Sequence, residues 1–453
     1  MQTILIIAGS DPGAGAGLQQ DLKTATLLGV YGLTAVTALT VQNRAGLLSV
    51  HPAAPEVVAA QLDAVLGDFP VAAVKVGMLA TAQIVRLVAA KLRGLNGVPV
   101  VLDPVLAAGA GGVLLEADAL AVLQEELFPL TFLLTPNAPE AARLSGLPVQ
   151  TPGDLAQAAV RLQALGPRWV LAKGGHLPGD PVDVLTDGNQ TYQLSGPRLV
   201  APHHHGSGCL LATACAAGLA RGLALPEAVN QARALVFQAL KYGLPLGQGG
   251  GPVNPYAPFA REAARHEVLL SLAAAGARLV QEDLSPLIPE VMSNLGYAAP
   301  YPEGPQDVAA FPGRLVKTPG GLVIPAPPAF GASRHIASII LTALDSLPEL
   351  RSAMNIKYFE GIDRLAPLLN LRVASFDRSQ EPPEVKAREG GTLAWGVAQA
   401  LKSAQTPPDL IVDQGDWGKE PMIRILGTSP MNVAEKALAL KNALQAGGRG
   451  VGK

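Results

Sequence analysis

Between Thr3 and Lys241, short apolar runs rich in β-branched residues alternate with segments of helical period. Residues 3–8 (Thr-Ile-Leu-Ile-Ile-Ala) are continuously apolar, as in a strand covered on both faces. Strand-like runs recur near 33–41, 72–77, 98–102, 131–134 and 168–172. Helical patterns at 18–28, 56–66, 81–93, 117–126 and 154–165 separate them, and two more follow at 210–223 and 226–242. Strand–helix–strand alternation of this kind predicts an α/β unit with a mainly parallel sheet, helices on both faces, and ligands at the strand C-terminal ends. Asp187-Gly188, between Val182–Leu185 and Thr191–Leu194, adds a hairpin.

At 453 residues the chain exceeds one ordinary core, which predicts two domains. The stretch 244–258, with Gly247, Gly249, Gly250, Gly251, Pro252, Pro255 and Pro258, has a linker's composition and sets the first boundary: domain one is 1–258, 259–284 is a connecting segment with an amphipathic helix, and 285–453 is domain two. A net charge of −2 without a basic run points away from nucleic acid and anionic membranes as partners. The two cysteines, Cys209 and Cys215, share one helix and form neither a disulfide framework nor a metal-ligand set. Met1-Gln2-Thr3 runs directly into a strand, and no apolar run is long enough for a bilayer, so a soluble cytoplasmic protein is expected.

The loop after the first strand, Gly9-Ser-Asp-Pro-Gly-Ala-Gly-Ala-Gly17, suggests a nucleotide fingerprint and fails both tests. The dinucleotide pattern needs a third glycine at Leu18 and an acid near Leu33; a Walker A loop starting at Gly9 needs glycine at Ala14. What remains is a loop whose backbone can close over a ligand, with Asp21 on the helix behind it. Other polar residues stand where apolar ones are the ordinary choice: Gln42-Asn43 follows a strand, Lys75 lies inside one, Asp103-Pro104 ends another, and Thr135-Pro136-Asn137 with Glu140 and Lys173-Gly174-Gly175-His176 follow the next two. Such ends converge in this architecture. His205-Gly206-Ser207-Gly208-Cys209 then opens an almost wholly apolar helix. Its glycines can aim successive N–H groups at an anion, and the helix dipole would favour a Cys209 thiolate. The alternative is a plain helix start, with Ser207 as N-cap and Cys209 as a small buried hydrophobe.

The motifs Ala-Gly-Ser-Asp-Pro, Gly-Leu-Gln-Gln-Asp-Leu-Lys, Thr-Val-Gln-Asn, Val-Lys-Val-Gly-Met-Leu, Leu-Asp-Pro-Val, Thr-Pro-Asn-x-x-Glu, Lys-Gly-Gly-His and His-Gly-Ser-Gly-Cys occur in that order. Together they resemble the hydroxymethylpyrimidine and phosphomethylpyrimidine kinase family, a branch of the ribokinase-like fold, over about 1–250. The resemblance implies ATP- and Mg²⁺-dependent phosphorylation of a pyrimidine alcohol and then of its monophosphate, for thiamine synthesis. It implies pyrimidine contacts at Gly9, Asp21, Gln42, Met78 and Val105. It places Lys173, Asn137, Gly206, Ser207 and Gly208 on the nucleotide phosphates, and Asp103 and Glu140 beside the metal. Cys209 takes the position where most ribokinase-like enzymes carry a catalytic aspartate, so it would accept the hydroxymethyl proton. His203 and His204 depart from the motif and read as loop residues. A pyridoxal-type vitamin kinase is the neighbouring alternative; Gln42, Met78 and Cys209 lean against it. Ribokinase-like relatives often dimerise, which implies a homo-oligomer by analogy.

Past residue 258, an amphipathic pattern at 261–281 places Val268, Leu269, Leu272, Ala275 and Leu279 on one face. Gly320-Gly321 reads as a hairpin, and strand-like runs return at 371–376, 409–413 and 422–426. Ser333 caps a helix with Ile336, Ile339, Ile340, Ala343 and Leu344 at helical spacing. Arg334 and His335 in its first turn oppose the dipole, so either they lie in solvent or a bound anion offsets the clash. The segments 290–294, 311–314, 330–335, 351–356, 375–378 and 418–427 resemble the ThiN-type thiamine-phosphate synthase domain over about 285–442. That resemblance implies a second, smaller α/β domain joining the pyrimidine diphosphate to thiazole phosphate with release of pyrophosphate. Arg314 and His335 match residues associated with synthase activity, and Arg334 and Lys419 suit the diphosphate by residue type. The competing expectation is a kinase whose second domain only senses thiamine phosphate.

Overall fold

The computed structural model describes residues 1–43, 45–107, 111–386, 391–415 and 420–448. They divide into two compact units, Met1–Pro258 and Phe259–Lys453. None of the helices among the described residues is long and apolar enough to cross a membrane.

The first unit is built on one nine-stranded sheet: β1 (Thr3–Ser10), β2 (Tyr31–Asn43), β3 (Gly46–Pro52), β4 (Ala73–Val76), β5 (Val100–Leu102), β6 (Leu133–Leu134), β7 (Trp169–Ala172), β8 (Val182–Thr186) and β9 (Thr191–Ser195). Their order is β3-β2-β1-β4-β5-β6-β7-β8-β9. The run from β2 to β7 is parallel, whereas β3, β8 and β9 pair antiparallel. β1 is buried throughout its interior because its side chains serve two cores. Leu5 and Ile7 enter one, beneath helices Pro55–Asp68, Ala82–Leu92 and Pro152–Gln163. Ile4, Ile6 and Ala8 enter the other, beneath helices Gly17–Leu27 and Ser207–Ala220. Each of the Leu and Ile side chains contributes about 2 kcal/mol by burial, which is why a period-two strand carries no polar face here.

Two local readings change. Gln42-Asn43 does not follow a strand but ends one, and β3 returns beside it: the Asn43 side chain accepts the N–H groups of Ala45 and Gly46, a local turn that folds the chain back. The stretch 244–258 is not a free tether either. Leu244 N–H bonds Pro252 O, Gly251 and Val253 bracket the His205 backbone, and Asn254 is buried.

The second unit has a seven-stranded sheet of β10 (Leu295–Ala298), β11 (Val308–Ala310), β14 (Ala329–Phe330), β15 (Ser352–Lys357), β16 (Val373–Ser375), β17 (Leu410–Asp413) and β18 (Met422–Gly427), in the order β14-β11-β10-β15-β18-β17-β16; β12 (Val316–Thr318) and β13 (Gly321–Val323) form a separate hairpin. The pairings are antiparallel except β16 with β17. Thr318 pairs Gly321, so the hairpin turn is Pro319-Gly320, one residue earlier than the sequence suggests. Helix Arg265–Gln281 buries Val268, Leu272, Ala275, Gly276 and Leu279, and a Cβ at Gly276 would meet Phe311 at 2.7 Å. Helix Arg334–Leu344, capped by Ser333, buries Ile336, Ile339, Ile340 and Ala343 in a second cluster with Ile411 and Leu426.

Candidate active sites

In the first unit the strand ends bring five of the sequence candidates together. Lys173, just past β7, reaches Asp103, just past β5, at 3.1 Å, and Thr135 donates to the same oxygen at 3.1 Å. Gly208 closes over them: a Cβ there would stand 3.3 Å from Lys173 Nζ and 3.6 Å from Asp103 Oδ2. The backbone of this turn can therefore approach any phosphate that Lys173 holds. Gly206 enters the helix at φ +85°, and a Cβ would strike Gly15 O at 1.8 Å, so only glycine fits. No side chain caps this helix: Gly206 stands at the N-cap position, not Ser207, and the Ser207 N–H bonds His204 O at 3.3 Å, while the Gly208 and Cys209 amides follow in the open first turn.

Asn137 and Glu140 form a reciprocal capping box on helix Ala138–Ser145: each side chain accepts the other's backbone N–H at 2.8 Å. The fold thus uses them structurally, yet Glu140 still faces Lys173 and Asp103. Burial pushes its carboxyl up to about 7 against the pull of Lys173, and Asp103 adds to the rise. Burial alone would lower Lys173, but Asp103 and Glu140 hold it above its ordinary value.

Asp21 lies deeper than expected. Its two oxygens take Lys75 Nζ and Thr213 Oγ1, each at 2.7 Å, and both members of the ion pair are wholly buried. Asp21 therefore has a protein partner on each oxygen. Lys75, which the sequence marks only as a polar residue within a strand, is kept charged above its ordinary value: burial works against it, while Asp21, Cys209 and Asp103 outweigh that. The same surroundings correct the reading of Cys209. Burial pushes its thiol up to about 11, and Asp21 and Asp103 add to this, beyond what Lys75 and the Gly17 N–H recover. This shift runs against the thiolate that the helix start suggests from sequence.

The apolar edge of the site is formed by Ala38, Met78 and Ala80 with Val105 packed against them. Gly9 lies on Met78; a Cβ would come within 2.9 Å of its sulfur. Gln42, half-buried near the end of β2, bonds to Asp11. Asp11 itself is missing from the sequence candidates. Its carboxylate accepts the N–H groups of Gly13 at 2.9 Å, Gly15 at 3.1 Å and Ala16 at 2.9 Å, so these loop donors serve the fold rather than a ligand. The Asp-Pro-Gly sequence after a strand carried that signal, since Asp side chains bond backbone amides two residues on.

The second unit spreads its candidates. Arg314 is exposed at φ +66°, an unusual backbone for a side chain of this size, and its guanidinium bonds Val291 O. Met292, at φ +65°, lies across the Ser293–Leu315 bridge from it. The 290–294 segment is further held by Glu420 and by Asn355, which donates to Met292 O at 3.0 Å. Arg334 and His335 are exposed at their helix start. β14 runs antiparallel to β11, and Gly331 N–H bonds Val308 O, so these two enter beside the end of β11 opposite to Arg314. Lys419 lies outside the described residues.

Comparison with known proteins matches these positions to families. A profile described as phosphomethylpyrimidine kinase matches residues 11–254, and one described as thiamine-phosphate synthase ThiN matches 271–439. The hydroxymethylpyrimidine/phosphomethylpyrimidine kinase of Streptomyces coelicolor is 46% identical over 251 residues, 55% of this chain and 93% of that protein. The thiamine biosynthesis bifunctional protein ThiED of Geobacter sulfurreducens is 48% identical over 253 residues, 56% of this chain; the match spans 52% of that protein's length. Among solved structures, Bacillus subtilis pyridoxal kinase in an ADP complex aligns with TM-score 0.54 and 36% identity, covering 57% of this chain and 99% of its own. Staphylococcus aureus pyridoxal kinase with AMP-PCP and pyridoxal aligns with TM-score 0.52 and 34% identity, covering 56% and 93%. The first unit has the ribokinase-like fold, and the chain belongs to the phosphomethylpyrimidine kinase family, with a ThiN-type thiamine-phosphate synthase domain following the kinase domain.

Proposed function

We propose that the chain carries out consecutive steps of thiamine biosynthesis. Met1–Pro258 phosphorylates 4-amino-5-hydroxymethyl-2-methylpyrimidine and then its monophosphate with ATP; Phe259–Lys453 condenses the diphosphate with thiazole phosphate and releases pyrophosphate. The observation that carries the kinase reading is the convergence of Lys173, Asp103 and the bare Gly206–Gly208 turn next to the Gly9–Met78–Val105 edge. A phosphoryl group in flight passes through a loose transition state, so placement and charge neutralisation outweigh strong base catalysis. Lys173 and the turn N–H groups supply both. A neutral Cys209 suits this: it shapes the turn and can relay a proton, and a strong base is not required.

Asp103 and Glu140 are the two carboxylates that face this spot. Magnesium is commonly held by one or two carboxylates with the remaining positions filled by phosphate and water, so the donor set fits Mg²⁺. When bound, the ion would neutralise triphosphate charge, with Asp103 and Glu140 holding it. In the second unit, Arg314, Arg334, His335 and Lys419 are the residues proposed for phosphate charge and synthase turnover. Two free thiols, Cys209 and Cys215, fit a reducing cytoplasmic setting. A homodimer is proposed on the exposed Leu39, Val41 and Leu48 of the β2–β3 arm, and sedimentation checks it.

The test is one incubation of purified chain with ATP, Mg²⁺, the pyrimidine alcohol and thiazole phosphate, following thiamine phosphate over time. Product formation is expected. Pyrimidine diphosphate accumulating without thiamine phosphate would reduce the second unit to a sensor. Preference for pyridoxal over the pyrimidine alcohol would favour the activity named for the Bacillus and Staphylococcus proteins.

A further inference from the structure

Asp11 holds together parts of the kinase site that the chain keeps far apart. It is 3% exposed, and its Oδ2 takes the N–H groups of Gly15 and Ala16 and lies 3.3 Å from His205 Nε2. Its Oδ1 takes Gly13 N–H, and Gln42 bonds to the same carboxylate. The Asp11 N–H is itself fixed by Gln19 Oε1 at 2.9 Å, and Gln19 is fixed by Ser10. His205 is pinned from behind, where its N–H bonds Gly251 O and its carbonyl accepts Val253 N–H. Gly15 is pressed against the His205 ring, where a Cβ would stand 2.4 Å from Cδ2.

His205 immediately precedes the Gly206–Cys209 turn, and Gln42, near the end of β2, is the residue that the family resemblance assigns to the pyrimidine. We propose that Asp11 is a positioning residue: through His205 it sets the turn that receives the transferred phosphoryl group, and through Gln42 it holds a residue expected to contact the pyrimidine. Only a carboxylate offers enough acceptor sites for these donors; an amide in its place would turn N–H groups against Gly13 or against Gly15 and Ala16. The coupling would make placement of the acceptor alcohol and of the phosphoryl turn one event, which is where orientation acts on rate.

The test uses the full chain with Asp11→Asn, His205→Leu, His205→Gln and the Asp11→Asn/His205→Leu pair. One readout needs no turnover: iodoacetamide labelling of Cys209 at pH 9, unobscured because Cys215 is fully buried. Loosening the turn is expected to speed labelling about fivefold in Asp11→Asn and in His205→Leu, with the glutamine variant near wild type because it retains a donor. The kinetic readout rests on the kinase reading above. Both single variants should lose about tenfold in kcat, and the pair no more than the worse single. KM for the pyrimidine should rise in Asp11→Asn and stay within about twofold in His205→Leu, a split that general loss of folded protein would not give. If Asp11→Asn does not fold, partly exposed His205 still carries the comparison. Wild-type labelling rates in both single variants would overturn the coupling. A wild-type chain that phosphorylates no pyrimidine alcohol would overturn the functional reading, while labelling still judges the contact.

Discussion

Cys209 and Glu140 lie within one small volume, and burial dominates both. Because the Cys209 thiol is pushed up to about 11, its alkylation rate should climb about tenfold per pH unit from pH 7 to 10, with no plateau in that range. A plateau below pH 8 would mean a thiolate after all. Cys209→Ala should then slow the two phosphorylations by similar factors, since the turn serves both; selective loss of the first, measured with each purified substrate, would restore Cys209 as the proton acceptor. For Glu140 the folded-state value near 7 lies above the ordinary 4.5, so the folded chain binds the proton more tightly. The stabilisation is full below about pH 4.5 and is lost as pH rises through about 7. Glu140→Gln should flatten that part of the stability curve, read as the wild-type-minus-variant difference in urea midpoint at pH 5 and pH 7.5. These values were not legible in the sequence. Glu140 was expected on the phosphate side from its motif alone; its capping role and its burial come from helix Ala138–Ser145 seating beside Lys173. Lys75 and Asp21, 54 positions apart, are another case: each reads as polar in its own segment, and only the fold makes them one buried pair.

The turn at Gly206 and the capping box at Asn137 show how much a short element can carry. A side chain at Gly206 meets both a left-handed φ and Gly15 O, so Gly206→Ala should abolish pyrimidine phosphorylation. It should leave thiamine phosphate formation from supplied diphosphate unchanged. Asn137→Ala removes one side of the box and should cost about 1 kcal/mol in denaturant titration of the kinase unit. Existence and type of the long elements were readable, because β1 is a continuous apolar run buried along its whole interior and helices Arg265–Gln281 and Arg334–Leu344 bury residues at a 3.6-residue period. β3 was not, since its residues are only partly buried and so carry weak patterning. The segment around Pro252 was also misjudged: its composition is a linker's, and its backbone pairing with His205 is a tertiary event.

Across the molecule, two units with separate cores carry the two proposed reactions in series. Lys173→Ala is therefore expected to stop thiamine phosphate formation from the pyrimidine alcohol by more than about a hundredfold, while added pyrimidine diphosphate restores it fully. Failure of that rescue would tie the second reaction to the first unit's active state. The amino-acid order alone determined the alternating architecture, the two families, and the roster of Gly, Lys and Asp residues at strand ends, because periodicity and motif spacing are local properties that survive without a fold. Only the tertiary structure decided that Asp11 occupies its own glycine loop, that Asp21 pairs with Lys75, that burial raises the Cys209 thiol, and that Arg314 and His335 enter at opposite ends of one strand. Each of those depends on burial or on partners distant in the chain, and both come into being only when the sheet closes.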